Sequence, residues 1–421
     1  MENREFLNVA DGQFVKFQLY LEKFVNKGKY IPLPRNQYLK NIIKFIYIKF
    51  IRKIHLFCSL ILRVQFIFNS PEKKNNIILD GSMHHFTKFL VKKNNYHILE
   101  TRIKLLKKVY ITREVIFYLI KNFNKNSLKI NYLVILIKIL KPKNVITLID
   151  NSFDFFIIAK ILFKDKINFY AFQNATRRNE SSSIVKKRFI PNYFTFSKYE
   201  KKLFKKSNNV KRFIPIGSIK ALIAKQYFSN KKINKIKFDL CLISEPEIFI
   251  DPYAASNSLD NDLALIFDNC LKYSKKYKKK IIIVGKSNFK NSEKFYKNEF
   301  YKNFIHDNKF KIFFHDKNKF EGYKKIYQSK VVVACTSSLL REAFEFDKKV
   351  LHCKYIKDKG GNVFPSEGIC TLRVKSYKEF ERRMNKIFKM TQSNYLKNIK
   401  NLNDIYLKKN NIIKILHDKF N

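Results

Sequence analysis

Glycine is scarce in this chain, with nine residues in 421. No Gly-x-Gly-x-x-Gly and no Walker-type loop occurs, so glycine-rich phosphate cradles of the familiar kinds are excluded. A chain this poor in glycine keeps it where the backbone must turn sharply or approach another group closely. Gly81, Gly217 and Gly285 each follow an apolar run, and Gly360, Gly361 and Gly368 fall in one loop. Cysteine is also sparse and scattered (Cys58, Cys241, Cys270, Cys335, Cys353, Cys370), with no Cys-x-x-Cys. That gives no support to a zinc site or a disulfide framework and fits a reducing compartment. The eight histidines lack metal-ligand spacing. Acids are few: 34 against 86 lysines and arginines, a formal charge of +52.

That charge runs from end to end as Lys-Lys and Lys-Asn pairs. It has two readings: an AT-rich coding bias, and selection for an anionic partner such as a membrane surface, a nucleotide-linked substrate or nucleic acid. Hydrophobic residues make up 46% and aromatics 15%, which excludes a disordered basic tail. The length allows two or three domains with substantial cores. The N-terminal "MENREFLNVADGQF" carries acids and no apolar core, unlike a signal peptide.

Residues 41–68, "NIIKFIYIKFIRKIHLFCSLILRVQFIF", are apolar but interrupted by Lys44, Lys49, Arg52, Lys53 and Arg63, with no acid. A spanning helix needs about 20 mostly apolar residues, so the expectation is a basic amphipathic helix lying on anionic lipid. The alternative is a buried helix with snorkelling cations.

From Asn76 strands and helices alternate. Strands are expected at Ile77–Leu79, Tyr96–Leu99, Val145–Ile149, Asn168–Phe172, Tyr193–Phe196 and Arg212–Ile216. A second series follows at Phe238–Ile243, Lys280–Val284, Lys311–Phe314, Val331–Ala334, Val350–Cys353 and Cys370–Val374. Helices fit between them, for instance Val115–Asn122, Phe155–Phe163, Asn257–Lys275, Lys319–Gln328, Ser338–Phe346 and Tyr377–Met390. This pattern predicts an α/β chain with two Rossmann-like parallel-sheet domains facing across a cleft. The expected boundaries are an N-terminal basic helical region 1–75, a first domain 76–217, a linker 218–236, a second domain 237–394 and a C-terminal helix 395–421 that crosses back onto the first domain.

In open α/β sheets, ligands bind beyond the carboxyl ends of the strands. Those ends supply Asp80-Gly81-Ser82, Asp150-Asn151-Ser152, Gln173-Asn174 and Gly217-Ser218 in the first domain. In the second they supply Ser244-Glu245, Gly285-Lys286-Ser287-Asn288, His315-Asp316 and Cys335-Thr336-Ser337-Ser338. The stretch "KVVVACTSSLLREAFEFDKKVLHC", Lys330 to Cys353, reads as strand, hydroxyl cluster, helix, strand. Thr336, Ser337 and Ser338 at a helix N-terminus can hold phosphate oxygens without a glycine loop. Lys286 adds a cation, and Glu342 one turn in could accept from a ribose hydroxyl. The plainer reading is a helix cap with a first-turn acid. "DND", Asp260 to Asp262, mimics a metal-binding Asp-x-Asp but stands at a helix start, where acids suit the dipole.

"VVVACTSSLLREAFEFDKKVL" resembles the strand, Ser/Thr cluster and Glu-Ala segment of two-Rossmann-domain (GT-B) glycosyltransferases. With "FYAFQNATRRNE" and "YFTFSKYEKKLFKKSNNVKRFIPIGS", the chain looks like bacterial surface carbohydrate biosynthesis proteins, the makers of capsule and lipopolysaccharide. The resemblance implies a nucleotide-activated sugar held by the second domain and a glycan acceptor held by the first. Ser337 and Ser338 also resemble the pair that binds the CMP phosphate in bacterial sialyl- and Kdo-transferases. This sequence departs from the pattern in places: Asp316 follows His315 where that group carries His-Pro, and Asp347 replaces a usual glycine. Leu339-Leu340 stand where UDP-sugar epimerases carry Gly-Gly. The Glu-x7-Glu pair of retaining members is absent, so an inverting, metal-independent transfer is expected, with the nucleotide sugar as co-substrate and no cofactor.

Such a transfer needs a general base beside the acceptor hydroxyl and a cradle for the departing phosphate. Asp80 and Asp150 are the candidate bases, with His84 or His85 behind Asp80. Gln173, Asn174 and Arg177 could orient donor or acceptor, or only stabilise a loop. The expected place is the cytoplasm, peripheral on the inner face of the membrane, with no nucleic-acid partner. A polyol-phosphate transferase of the same fold and a nucleic-acid-binding protein are the competing readings, although no nucleic-acid module is recognisable.

Overall fold

The computed structural model describes residues 62–102, 105–176, 188–203, 209–233, 236–244, 258–285, 312–314, 320–335, 337–355, 364, 367–407 and 411–421. The chain divides into residues 1–65 and 66–421. Most of the expected N-terminal lipid-binding helix, residues 41–61, lies outside the described residues. Among the described residues no helix is long and apolar enough to cross a membrane.

The second unit contains two six-stranded sheets, each parallel throughout. The first comprises β1 (Asn76–Leu79), β2 (Tyr96–Leu99), β3 (Asn144–Thr147), β4 (Asn168–Phe172), β5 (Ile190–Thr195) and β6 (Val210–Pro215). Its spatial order is β2-β1-β3-β4-β5-β6. The second comprises β7 (Phe238–Ser244), β8 (Ile281–Gly285), β9 (Ile312–Phe314), β10 (Ser329–Ala334), β11 (Lys349–Cys353) and β12 (Thr371–Leu372). Its order is β9-β8-β7-β10-β11-β12, that of a dinucleotide-binding sheet. All twelve expected strands are present, most shifted by one to three residues. They were legible because strands covered on both faces are near-continuous apolar runs, as in β1 and β3, buried at every position.

Among the described residues, the helices of seven residues or more are α1 (Arg113–Lys121), α2 (Leu128–Leu140), α3 (Phe153–Ile161), α4 (Ile219–Asn230), α5 (Ser258–Lys276), α6 (Glu321–Tyr327), α7 (Leu339–Glu345), α8 (Tyr377–Lys389) and α9 (Ile412–Phe420). Asp260 to Asp262 fall in the first turn of α5, as expected. The first four of these start at a hydroxyl. Thr112, Ser127, Ser152 and Ser218 accept from the backbone N–H three residues on, at 3.3, 3.4, 3.4 and 3.4 Å.

Two expectations are corrected here. Residues 218–236 are not a bare linker, because Ile219–Asn230 is a helix whose Ile219, Ala221, Ile223, Ala224 and Phe228 are buried. The C-terminal helix expected over 395–421 is instead three short ones, Gln392–Lys397, Leu402–Ile405 and α9.

Helices α1 to α3 cover one face of the first sheet, with Val115, Leu133, Val134, Phe155 and Ile158 packed on Ile77, Leu79 and Val145. On the other face Ile78, Ile146, Phe172 and Phe194 join α4 and α9 in a core that continues into the second sheet. The C-terminus does cross back. The Phe420 ring meets Tyr170 at 5.3 Å and Phe172 at 6.4 Å between centroids. The Asn76 side-chain amide donates to the Phe420 carbonyl at 2.8 Å, and Asn144 donates to the Asn76 side-chain oxygen at 2.9 Å. Both asparagines are buried, so the bonds satisfy groups that water cannot reach. Phe420→Ala should therefore destabilise the protein by about 3 kcal/mol, seen as a lower urea midpoint, although the residue is next to last in this sequence.

Candidate functional site

In a parallel sheet, the crevice opens where strand order reverses. In the first sheet the reversal lies between β1 and β3, and the residues after them lead to Asp80 and Asp150. In the second it lies between β7 and β10, ending at Ser244 and at Ala334-Cys335. Four of the sequence candidates thus stand at or beside a switch point: Asp80, Asp150, Ser244 and, two residues beyond Cys335, Ser337.

Asp80 is 2% exposed, at a φ of +71°. One carboxylate oxygen accepts from Ser82 N at 3.0 Å; the other accepts from the Thr101 hydroxyl at 3.0 Å and pairs with Arg102 Nε at 3.0 Å. Asp150 is fully buried, accepting from Asn174 N at 3.3 Å and from the Tyr193 hydroxyl at 2.5 Å. It is not the cap of α3; Ser152 is. Both carboxylates are therefore occupied by the protein and hold loops in place. The exposed His84 donates from Nδ1 to the Gly81 carbonyl at 3.1 Å.

Sequence reasoning passed over Glu100, which follows β2 and would have emerged had that strand end been read with the others. Its carboxylate accepts from Gly81 N at 3.1 Å, so close that a Cβ on Gly81 would lie 2.3 Å from the other oxygen. Partial burial, reinforced by the Asp80 charge, raises its pKa.

Gln173 is buried, accepting from Phe196 N at 2.8 Å and donating to the Ala175 carbonyl at 3.1 Å, which is the loop-stabilising role. Gln173 and Asn174 line a small pocket with Met83, Phe86, Leu148, Phe172, Ile219 and Lys220. A larger open depression of about 550 Å³ lies at the opposite, amino ends of β4 to β6, away from these groups.

The β6–α4 turn meets α7 of the second lobe. Glu342 is fully buried: one oxygen accepts from Ser218 Oγ at 3.1 Å and pairs with Lys220 Nζ at 3.1 Å, and the other accepts from the Tyr323 hydroxyl at 2.8 Å. The role expected for it, accepting from a ribose hydroxyl, is corrected, because these partners already use both oxygens. Lys220 also donates to the Asn174 carbonyl at 2.7 Å. Beside it, the buried Arg341 donates to Ser197 Oγ at 3.1 Å and pairs with Glu200 at 3.6 Å. Gly217 has a φ of +89°, and a Cβ there would stand 3.0 Å from both Glu345 oxygens, so only glycine fits.

On the second-lobe side, Ser244 is buried and pairs in register with Gly285 at the ends of β7 and β8. Ser337 is 1% exposed and its hydroxyl accepts from Leu339 N at 3.2 Å. Ser338 is half-buried and makes no side-chain cap bond, contrary to the capping expected of it. His352, beside Ala334 in the β10–β11 register, has its pKa lowered to about 4 by burial and then by Lys354, so it is neutral at physiological pH. Glu245, Lys286, His315, Thr336 and Arg177 lie outside the described residues.

Against known proteins, no family model and no curated protein matches this chain. Among solved structures, it is similar to the wall teichoic acid polymerase TagF, with a TM-score of 0.48 and 11% identity over 92% of this chain and 98% of that one. It is similar to a UDP-GlcNAc 2-epimerase from Neisseria meningitidis bound to UDP-GlcNAc, with a TM-score of 0.48 and 13% identity over 82% and 99%. A glycosyltransferase from Rickettsia africae gives 0.40 and 12% over 83% and 94%. These are likenesses of architecture, and the two-sheet description stands on the strand pairings themselves.

Glu345 supplies a test of this junction. Burial raises its pKa from 4.5 to about 8, against the opposing pull of Arg341 and Lys225. The folded state then holds a proton that the unfolded state releases between those values, so stability falls as pH rises from about 4.5 to 8. One proton corresponds to a slope of about 1.4 kcal/mol per pH unit at most. In Glu345→Gln, urea titrations across this window should show that part of the slope removed.

Proposed function

We propose that this protein is a transferase that moves a glycosyl unit from a nucleotide-activated donor to a surface or lipid-linked glycan, with inversion at the transferred carbon. The observation that carries the reading is the chain from the Asn174 carbonyl through Lys220 to Glu342. It joins a strand end of the first sheet to the helix that directly follows Ser337 and Ser338 in the second. Polar ends of two parallel sheets brought to one junction suit a reaction between two bound substrates. The donor nucleotide would lie over Ser244, Gly285, Ser337 and Ser338, with Thr336, Lys286, His315 and Glu245 contributing from the same strand ends. The acceptor would lie over the Asp80, Asp150 and Asn174 side, with Arg177 orienting it. There Asp80 and Asp150 shape the floor, and Gly217-Ser218 sets the junction. The missing second glutamate of the Glu-x7-Glu pattern supports inversion in this reading.

Thermal denaturation with CMP, CDP, UDP and GDP, free and sugar-linked, tests this. A ligand selective for the folded state stabilises it by about 2.7 kcal/mol at a hundredfold excess over its dissociation constant. One nucleotide should raise the melting temperature, and Ser337→Ala/Ser338→Ala should abolish the rise while the ligand-free protein still unfolds cooperatively. No rise with any nucleotide would refute the donor site.

A further inference from the structure

Helix α1 is apolar on two opposite sides yet lies at the surface. Its inner side places Val115, at 2% exposure, on the first-sheet core, with Tyr118 and Leu119 packed beside it. The other side carries Phe117 and Ile120, three residues apart and 70% and 73% exposed, with Ile116 at 46%. The turn that follows adds Phe123 at 71%, and α2 opens with Leu128 at 59%. A helix needs only one apolar stripe to join a core; the second is left exposed among the described residues. Isolated exposed apolar residues are ordinary, but five on one helical hairpin mark an interaction surface.

The hairpin is held firmly. Asn131 donates to the Asn122 carbonyl at 2.6 Å, and Asn122 donates to the Tyr118 carbonyl at 2.9 Å, both across buried side chains. Its charges have one dominant sign. Between residues 113 and 129 stand Arg113, Lys121, Lys125 and Lys129 against the single acid Glu114. Of these cations Lys129 is paired, with Asp154 at 2.8 Å.

We infer that the α1–α2 hairpin docks this protein onto an anionic lipid bilayer, Phe117, Ile120 and Phe123 entering the acyl boundary while Arg113, Lys121 and Lys125 meet the headgroups. Bulky apolar tips ringed by cations are what an interfacial element requires, and charge complementarity selects an anionic bilayer over a neutral one. This inference does not depend on the transferase reading, so either can fail alone.

The test is co-sedimentation of the full chain with phosphatidylglycerol-containing vesicles and with phosphatidylcholine vesicles. The wild type should bind the anionic vesicles, less as salt rises, and the neutral ones far more weakly. Phe117→Ser/Ile120→Ser and Lys121→Glu/Lys125→Glu should each weaken binding at least tenfold with no change in melting temperature. Because the chain has no tryptophan, Phe117→Trp is a single-site reporter whose emission should shift to the blue on anionic vesicles. Unchanged binding in both double variants, or unshifted Trp emission with vesicle binding intact, would overturn the inference. So would a self-associated wild type that Phe117→Ser/Ile120→Ser converts to monomer.

Discussion

The carboxylate of Glu342 is the constraint on which the rest of this structure depends. It is wholly buried between the two lobes, and its three partners come from two elements: Ser218 and Lys220 at the start of α4, and Tyr323 on α6. A charge buried this deeply is tolerable only while it is paired and hydrogen-bonded. The junction therefore admits one arrangement. Arg341 with Glu200, and Lys225 with Asp347 at 2.6 Å, extend the same logic along and just beyond α7. Gly217 completes it, since the turn that delivers Ser218 and Lys220 passes where a side chain would strike Glu345.

This arrangement separates support from chemistry. Asp80, Asp150, Gln173 and Glu342 have the residue types of a catalytic set, but they are committed to backbone and neighbouring side chains. They fix the strand-end loops of both sheets. Groups beside them keep more freedom: His84 is exposed, Ser338 makes no cap bond, and Glu100 is half-buried with its proton affinity raised. Preorganised surroundings with a few less constrained groups are what the proposed transfer between two substrates would need.

Much of the fold was legible because fully buried parallel strands are written as short apolar runs ending in polar residues. Val331 to Ala334 and Ile77 to Leu79 need no context to be recognised. Helix α4 was missed because its buried positions 219, 221, 223, 224 and 228 serve two lobes and leave no single stripe. Helix α2 was missed for a related reason: eight of its thirteen residues are buried, so it is apolar nearly all round. At the site, the strand-end rule found Asp80 and Asp150 but not their saturation. The partners that occupy them, Thr101, Arg102 and Tyr193, lie 21, 22 and 43 residues away in sequence. The pairing of Glu342 with Ser218 spans 124 residues, and no local pattern announces it.

The most direct measurement of this account is a double-mutant cycle on the Lys220–Glu342 pair, read by urea unfolding of Lys220→Met, Glu342→Leu and the two together. Removing one partner of a buried pair strands the other charge and costs roughly 3–5 kcal/mol, whereas removing both leaves no charge stranded. Each single variant should be strongly destabilised, and the double variant should recover much of the loss. Strictly additive effects would contradict the account, because they would mean that the two charges do not meet between the lobes.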